Sequence, residues 1–523
     1  MHAGGSPVPI DVSAVLFLAC ALAIGRAAGS LLRLDLGRRF WLAAALAAGV
    51  LIILHLCSVP YVDDIRPSTG LHRPSPAWAW LLARLPGPLT PQLLAHLNLG
   101  LALALLVPAL ALLVGLFDDR AAALAALFFL AASAVFVKLT ASTGPQILLL
   151  LCGVAAVERT LAWTRTGSGV DVVLVATLLG GMANLRPEGA IGILAVLVVV
   201  VARARRTPEW IAFGIGVALY LVLALTPVVN DVAEIRSVGR VPWTKLNPLY
   251  YLAFPFFARS PYLPTDSLLV SAVLLAAVGV VVWKRAPERG AVLLLAMLSA
   301  SASLGRVVTD NVTNHRYVVL GLAFQALFAG GAVYVAARTL LRHWRPGADD
   351  RWIALRSQAV AVVLLGLFFL PTRAFLGMQW SHTVEYELLL RSLAQVPDEA
   401  VVLVDLADRR EAGLILRDAN LPALAGTHQR LLDFTTPLDL PPRGEAYLYL
   451  GGSCHIRQAD GQGGLPPETF TDIYPPCRTV KETLAQRAEV TLVERVDAPG
   501  APFNYDRPMS ATIPLELYRV TGR

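Results

Sequence analysis

The sequence predicts a polytopic α-helical membrane protein with about twelve transmembrane helices and a C-terminal soluble α/β domain. Three observations predict it. Of 523 residues, 56% are hydrophobic and 15% are charged, against about 45–50% and about 25% in an ordinary soluble domain. The excess is gathered into runs such as Val12–Leu32, Trp41–Val59 and Leu99–Phe117, each long enough to cross a hydrocarbon core of about 30 Å. Beyond about residue 372 the apolar runs become short, β-rich and separated by turns. The net charge of +7 is spread over loops with no basic–aromatic cluster, which points to topology and contact with membrane lipid and away from nucleic acid.

The first run is read as a retained helix. The stretch before it, MHAGGSPVPID, carries no Lys or Arg, and Arg33, Arg38 and Arg39 come after it. That is the reverse of a secretory signal, so the N-terminus is expected outside. The spans fall at roughly 12–32, 40–58, 97–116, 121–139, 145–163, 170–184, 189–202, 210–227, 267–283, 290–304, 318–337 and 354–371. The sixth and seventh are short and read equally well as one hairpin broken at Leu185-Arg186-Pro187-Glu188.

Alternate loops are short and dense in Arg and Lys: Arg33/Arg38/Arg39, Arg120, Arg159/Arg165, Arg203/Arg205/Arg206, Lys284/Arg285/Arg289 and Arg338/Arg342/Arg345/Arg351. Such loops are expected to be cytoplasmic. The segment 1–371 is then a multi-pass module of the inner (plasma) membrane, and 372–523 an extracytoplasmic domain. In that domain AVVLVDLAD, AYLYLGG, VTLVERV and LELYRV read as strands, and EYELLLRSLAQV and REAGLILRDAN as helices. Cys20, Cys57 and Cys152 lie in or at the ends of spans, where they pack. Cys454 and Cys477 form the pair placed to meet as a disulfide in an oxidising compartment.

The unusual polar residues gather on the expected outer side. Asp63 and Asp64 follow the second span, with Arg66 and His72 soon after. Lys138, Thr140, Ser142 and Thr143 mark the end of the fourth. Arg186 and Glu188 sit between the sixth and seventh, and Asn314, His315, Arg316 and Tyr317 open the eleventh. Each has a bland reading: a solvated carboxylate pair, an interfacial anchor, a local ion pair. Ionisable groups at a bilayer are costly and tend to mark a site, and four such groups on one face strengthen that reading.

The order of these features resembles the GT-C superfamily of membrane glycosyltransferases, above all protein O-mannosyltransferases and the aminoarabinose transferase of lipid A. The matching residues are V-D-D at 62–64 for the acidic motif of the first outer loop, HRPSPAWAWLLARL at 72–85 for the Pro-containing amphipathic segment, and NHRYVVL at 314–320 for the late Arg-Tyr. The chain departs from the pattern in having Asp-Asp where Asp-Glu is common and in carrying an additional first helix at 12–32.

The resemblance implies an enzyme that takes a sugar from a polyprenyl-phosphate carrier and gives it, with inversion, to the hydroxyl of a lipid, glycan or protein acceptor. Asp63 or Asp64 is then the general base. Arg316, with Lys138, Arg186 or His315, holds the phosphate, and Arg66, His72, Glu188 and Tyr317 complete the substrate-binding set. The acidic pair can also bind a divalent cation through oxygen ligands, although nothing else in its loop completes such a site. Three other readings stay open: a transporter or flippase of a lipid-linked substrate, a polysaccharide ligase or polymerase using the same donor, and a scaffold whose exported domain does the work.

Overall fold

The computed structural model describes residues 12–58, 76–85, 91–142, 144–185, 315–367, 396–404, 429–433, 444–451, 475–499 and 512–522, with residues 210, 211, 214, 215, 218 and 369 besides. Eight helices come first: α1 (Val12–Leu32), α2 (Arg38–Leu56), α3 (Pro76–Leu82), α4 (Pro91–Phe117), α5 (Arg120–Ala132), α6 (Ala134–Ala141), α7 (Gln146–Thr166) and α8 (Gly169–Leu185). Helices α9 (His315–Trp344) and α10 (350–367) follow.

Four helices among the described residues are long and apolar enough to cross a membrane: α1, α2, α4 and α7. Their sides differ in a way that suits hydrocarbon. Leu18 and Leu22 of α1 and Leu42, Leu46, Ile53 and Leu56 of α2 face outward, while Leu16, Ala23, Ala47 and Leu51 are buried. In water that outer surface would be a large exposed apolar patch; in lipid it is solvated. Helix α7 is buried along nearly its whole length, so it lies inside the bundle.

The expected fourth span, 121–139, is two helices. Asp119 caps α5 by accepting from the backbone N–H groups of Ala121 and Ala122 at 2.9 and 3.2 Å. At Ser133 the backbone turns to an extended conformation (φ −68°, ψ 129°), and α6 begins. Apolar periodicity cannot register this break, because the alanine-rich run continues through it. The other described runs expected as spans are helical. Spans expected at 189–202, 210–227, 267–283 and 290–304 lie outside the described residues, apart from the few helical positions between 210 and 218.

One end of the bundle is closed by short turns and held by arginines. Arg120 donates to the carbonyls of Asp35 and Leu36 in the turn between α1 and α2. Arg165 donates to the Gly115 carbonyl at the end of α4. Arg338 of α9 pairs with Asp119, and Arg342 with Asp350 at 2.8 Å. Gly167 closes α7 at φ 65°, a left-handed conformation that suits glycine. Arg159, expected in a loop, is instead inside α7 and 2% exposed. It pairs with its neighbour Glu158 and, at 3.3 Å, with Asp171 of α8, while Arg26 of α1 reaches the same Asp171 at 3.0 Å. Two guanidinium and two carboxylate groups thus compensate one another, which a buried charge requires.

The C-terminal region carries a five-stranded sheet in the order β2-β1-β3-β5-β4. Its strands are β1 (Val401–Val404), β2 (Arg430–Asp433), β3 (Glu445–Leu450), β4 (Ala488–Pro499) and β5 (Thr512–Gly522), with helix α11 (Pro475–Arg487) before β4. Strands β1, β2 and β3 are parallel, and β5 joins β3 and β4 antiparallel. The near-continuous apolar run of β1 and β3 fits their central places in the sheet. Helix α11 packs Cys477 into a core with Leu403, Leu448, Leu450 and Val520. Behind it Lys481 donates to the Tyr518 hydroxyl, which donates to Glu516, both at 2.6 Å. Burial, then that hydrogen bond and the charge of Glu516, push the Tyr518 hydroxyl well above its ordinary pKa. The short strand β2 and helix α11 were not foreseen; the two expected tail helices lie outside the described residues.

Candidate functional site

The end of the bundle opposite the arginine-rich turns is where α2, α6 and α8 finish and α4, α7 and α9 begin. Helix α9 runs antiparallel to α5, since Gly330 packs against the Ala125 carbonyl and Arg338 against Asp119. Its N-terminal part runs from there toward the end of the bundle where α6 finishes, and α9 and α6 touch.

Two expected parts of the site are thus brought to one end. Lys138 is buried in the last turn of α6. His315, Arg316 and Tyr317 form the first turn of α9, which starts at this end. Asp63, Asp64, Arg66, His72, Arg186 and Glu188 lie outside the described residues. The flanks of the acidic segment are described: it leaves α2 after Ser58 and enters α3 at Pro76. Ser58 is tied to α2 by a 2.6 Å hydrogen bond from its hydroxyl to the His55 carbonyl. On the other flank α3 packs against α1 and α8. Its Trp80 ring stacks on Phe17 with centroids 5.2 Å apart, and Arg84 lies 3.5 Å above that ring. The described residues on both flanks of the acidic segment are thus tied into the bundle.

The same end of the bundle holds a polar cluster. His55, buried in the last turn of α2, places Nδ1 3.2 Å from Thr140 Oγ1 and Nε2 3.3 Å from His96 Nδ1 of α4. Thr140 donates its hydroxyl to the Val137 carbonyl at 2.7 Å. Two residues along α4, the fully buried Asn98 donates to the carbonyls of Ser142 and Gly144 in the connection between α6 and α7. Ser142 and Gln146 close that connection, Ser142 Oγ accepting from Gly144 N at 3.0 Å. Asn98 Oδ1 has no hydrogen-bond partner among the described residues.

Thr140 and Ser142 stood out in the sequence, but His55, His96 and Asn98 did not. Their signal was there: single polar residues inside the apolar runs LIILHLC and LLAHLNL. Among the described residues no group of three or more His, Cys, Asp or Glu side chains is placed to hold a metal ion. On α11 Cys477 is disulfide-bonded, while Cys20, Cys57 and Cys152 are free; Cys454 lies outside the described residues.

No family model matches the chain, and no curated protein sequence does. Among solved structures, the Archaeoglobus fulgidus oligosaccharyltransferase tethered to an acceptor peptide containing the NVT sequon is similar at a TM-score of 0.43 and 13% identity, over 76% of this chain and 64% of that one. Its apo form gives 0.39 and 13%, over 78% and 64%. Its complex with Zn and sulfate gives 0.38 and 11%, over 75% and 60%. The chain thus spans less than two thirds of the length of the structures it matches.

Proposed function

We propose that the chain is a membrane glycosyltransferase. It transfers a sugar, with inversion, from a polyprenyl-phosphate donor to an acceptor hydroxyl at the outer face of the membrane. The observation that carries this reading is the chemical difference between the two ends of the bundle. One end is all short turns whose arginines are spent on helix ends and ion pairs. The other gathers Lys138, His55, His96, Thr140 and the first turn of α9, and from it the segment bearing Asp63 and Asp64 departs.

The arginine-rich end is the cytoplasmic one by charge bias, which makes the polar end, and the sheet beyond 372, extracytoplasmic. A carrier phosphate sits at such a surface. Arg316, with Lys138, Arg186 or His315, can neutralise it as it leaves. Arg66, His72, Glu188 and Tyr317 are assigned to the same substrate surface. Asp63 or Asp64 removes the proton from the acceptor oxygen as that oxygen attacks the anomeric carbon. Two neighbouring carboxylates raise one another's pKa, which suits a base near neutral pH, and the same pair can take a divalent cation.

The test is transfer of radiolabelled sugar from polyprenyl-phosphate donors in membranes, with Asp63→Asn and Asp64→Asn beside the wild type. Asp63→Asn is expected to cut turnover by a factor of about 10²–10⁴, the usual worth of a general base, with donor binding retained. Full activity in the double variant sinks the assignment of the base.

A further inference from the structure

We propose that Cys20 and Cys152 are a redox-active dithiol that a hydroperoxide closes to a disulfide, joining α1 covalently to α7. The proposal stands apart from the glycosyl-transfer reading, and its test needs no turnover.

The two sulfurs are already neighbours. Cys20 Sγ lies 3.6 Å from Cys152 Sγ across 132 positions of sequence, and either thiol can donate to the other. Both side chains are buried and both are free. A disulfide holds its sulfurs about 2.05 Å apart, so closure asks for a further approach of about 1.5 Å.

Other contacts hold this meeting in register. Helix α1 ends in the turn that Arg120 holds, so it begins at the polar end, as α7 does. Six residues past Cys20, Arg26 reaches Asp171 of α8 at 3.0 Å; seven past Cys152, Arg159 reaches the same carboxylate at 3.3 Å. These near-equal offsets on two parallel helices set both thiols at one height. Leu16 adds a third contact. It packs on Gly181 of α8, where an added Cβ would meet Leu16 Cδ1 at 2.0 Å. Ten residues separate Leu16 from Arg26 and ten separate Asp171 from Gly181, as one antiparallel register requires. Ala19, Ala23 and Ala27 are buried on the same helix and small enough to let it approach its neighbours closely. The sulfurs therefore meet through the packing of α1 as a whole.

The place of the pair selects the reagent. Cys20 stands about 12 Å and Cys152 about 9 Å from the start of its helix, at about 1.5 Å per residue, in the half of the bundle nearer the polar end. Both belong to one apolar core with Leu16, Leu148 and Leu151. A charged oxidant enters such a place only at high cost, whereas hydrogen peroxide is small and uncharged.

The step balances with that one reagent. Cys20 is 4% exposed and Cys152 0%, so the Cys20 sulfur attacks a peroxide oxygen first. An S–O bond forms, the O–O bond breaks, and water leaves with the thiol proton. The Cys152 sulfur then attacks the Cys20 sulfur. The S–S bond forms, the S–O bond breaks, and a second water leaves with the Cys152 proton. The thiols lose two electrons, and one peroxide becomes two waters. Buried thiols react slowly, so the first attack sets the rate, and contact favours the second. The bond would tie α1 at a second height beside the Arg26 ion pair. It would also fix Phe17, whose ring carries Trp80 of α3.

The test uses the full wild-type chain in lipid nanodiscs, so its main readout needs no substitution. Cys57, exposed at the end of α2, is first blocked with a maleimide in the folded protein. Hydrogen peroxide is added, and the chain is then denatured, labelled with a second maleimide and mapped without reductant. The expected result is joint loss of the second label at Cys20 and Cys152, with their peptides joined until dithiothreitol separates them. Thermal unfolding of the oxidised chain should shift upward by roughly 5 °C, because the bond closes a long loop of the unfolded chain. The same treatment of Cys20→Ser or Cys152→Ser should give no shift.

Thiols that still label at both positions after peroxide overturn the proposal, as do sulfinic acids on unjoined peptides or a bond from either cysteine to another partner. An equal upward shift in Cys20→Ser overturns it too, since the stabilisation then arises elsewhere.

Discussion

Asp119 serves two helices with one carboxylate. Its Oδ1 caps α5 through the N–H groups of Ala121 and Ala122, and its Oδ2 receives the Arg338 guanidinium of α9. This contact helps to fix the register of α9 on α5, and so where the start of α9 stands at the polar end of the bundle. Asp119→Ala removes both functions. Loss of the cap alone costs about 1 kcal/mol, and the lost partner of a part-buried Arg adds to it. Asp119→Asn keeps an oxygen for the cap and should recover part of the loss. Thermal unfolding of the detergent-solubilised chain measures both; equal stability in wild type and Asp119→Ala would remove the register argument.

A second prediction concerns the same helix pair. At Gly330 an added Cβ would collide with the Ala125 carbonyl, and at Gly331 with the Phe117 ring. Small residues let membrane helices approach closely, so that packing replaces the absent hydrophobic drive. Gly330→Leu should destabilise the chain by several kcal/mol or abolish its folded yield, since backbone atoms cannot move aside as a side chain does. Gly347, which meets nothing within 4 Å, is the control: Gly347→Ala should be near neutral. A stable Gly330→Leu variant would mean that α9 sits elsewhere.

The third prediction is that the partner of Cys477 is Cys454, closing a loop of about two dozen residues worth roughly 3 kcal/mol. Peptide mapping of the non-reduced protein tests it. The bond also reports location, because such bridges persist in oxidising compartments. A C-terminal topology reporter should therefore read extracytoplasmic. A cytoplasmic reading would put Asp63 and Asp64 on the wrong side and remove the site.

The fourth concerns the phosphate. Arg316→Ala should weaken donor binding at least tenfold and acceptor binding less, because a guanidinium grips phosphate oxygens in a bidentate manner. Arg316→Lys should rescue only part of it. Direct binding of the polyprenyl-phosphate sugar to purified variants reads this without turnover; unchanged affinity in Arg316→Ala would make the residue an interfacial anchor and move attention to Arg186.

The sequence by itself determined the described membrane helices and the main strands. Apolar runs such as Val12–Leu32 and the β-rich runs near 401, 445, 488 and 512 each declare their element locally, through run length or through period. It also marked Lys138, Thr140 and Ser142 as out of place in their surroundings. Tertiary structure decided the rest. The break at Ser133 is invisible in a continuous alanine-rich run. Arg159 looked like a loop residue because Asp171 becomes its partner only when α7 and α8 pack. His55 and His96, 41 positions apart, meet only because the end of α2 lies beside the start of α4. Run length and period are local quantities, while a hydrogen bond between distant residues is a property of which helices are neighbours and at what height, and only packing sets that.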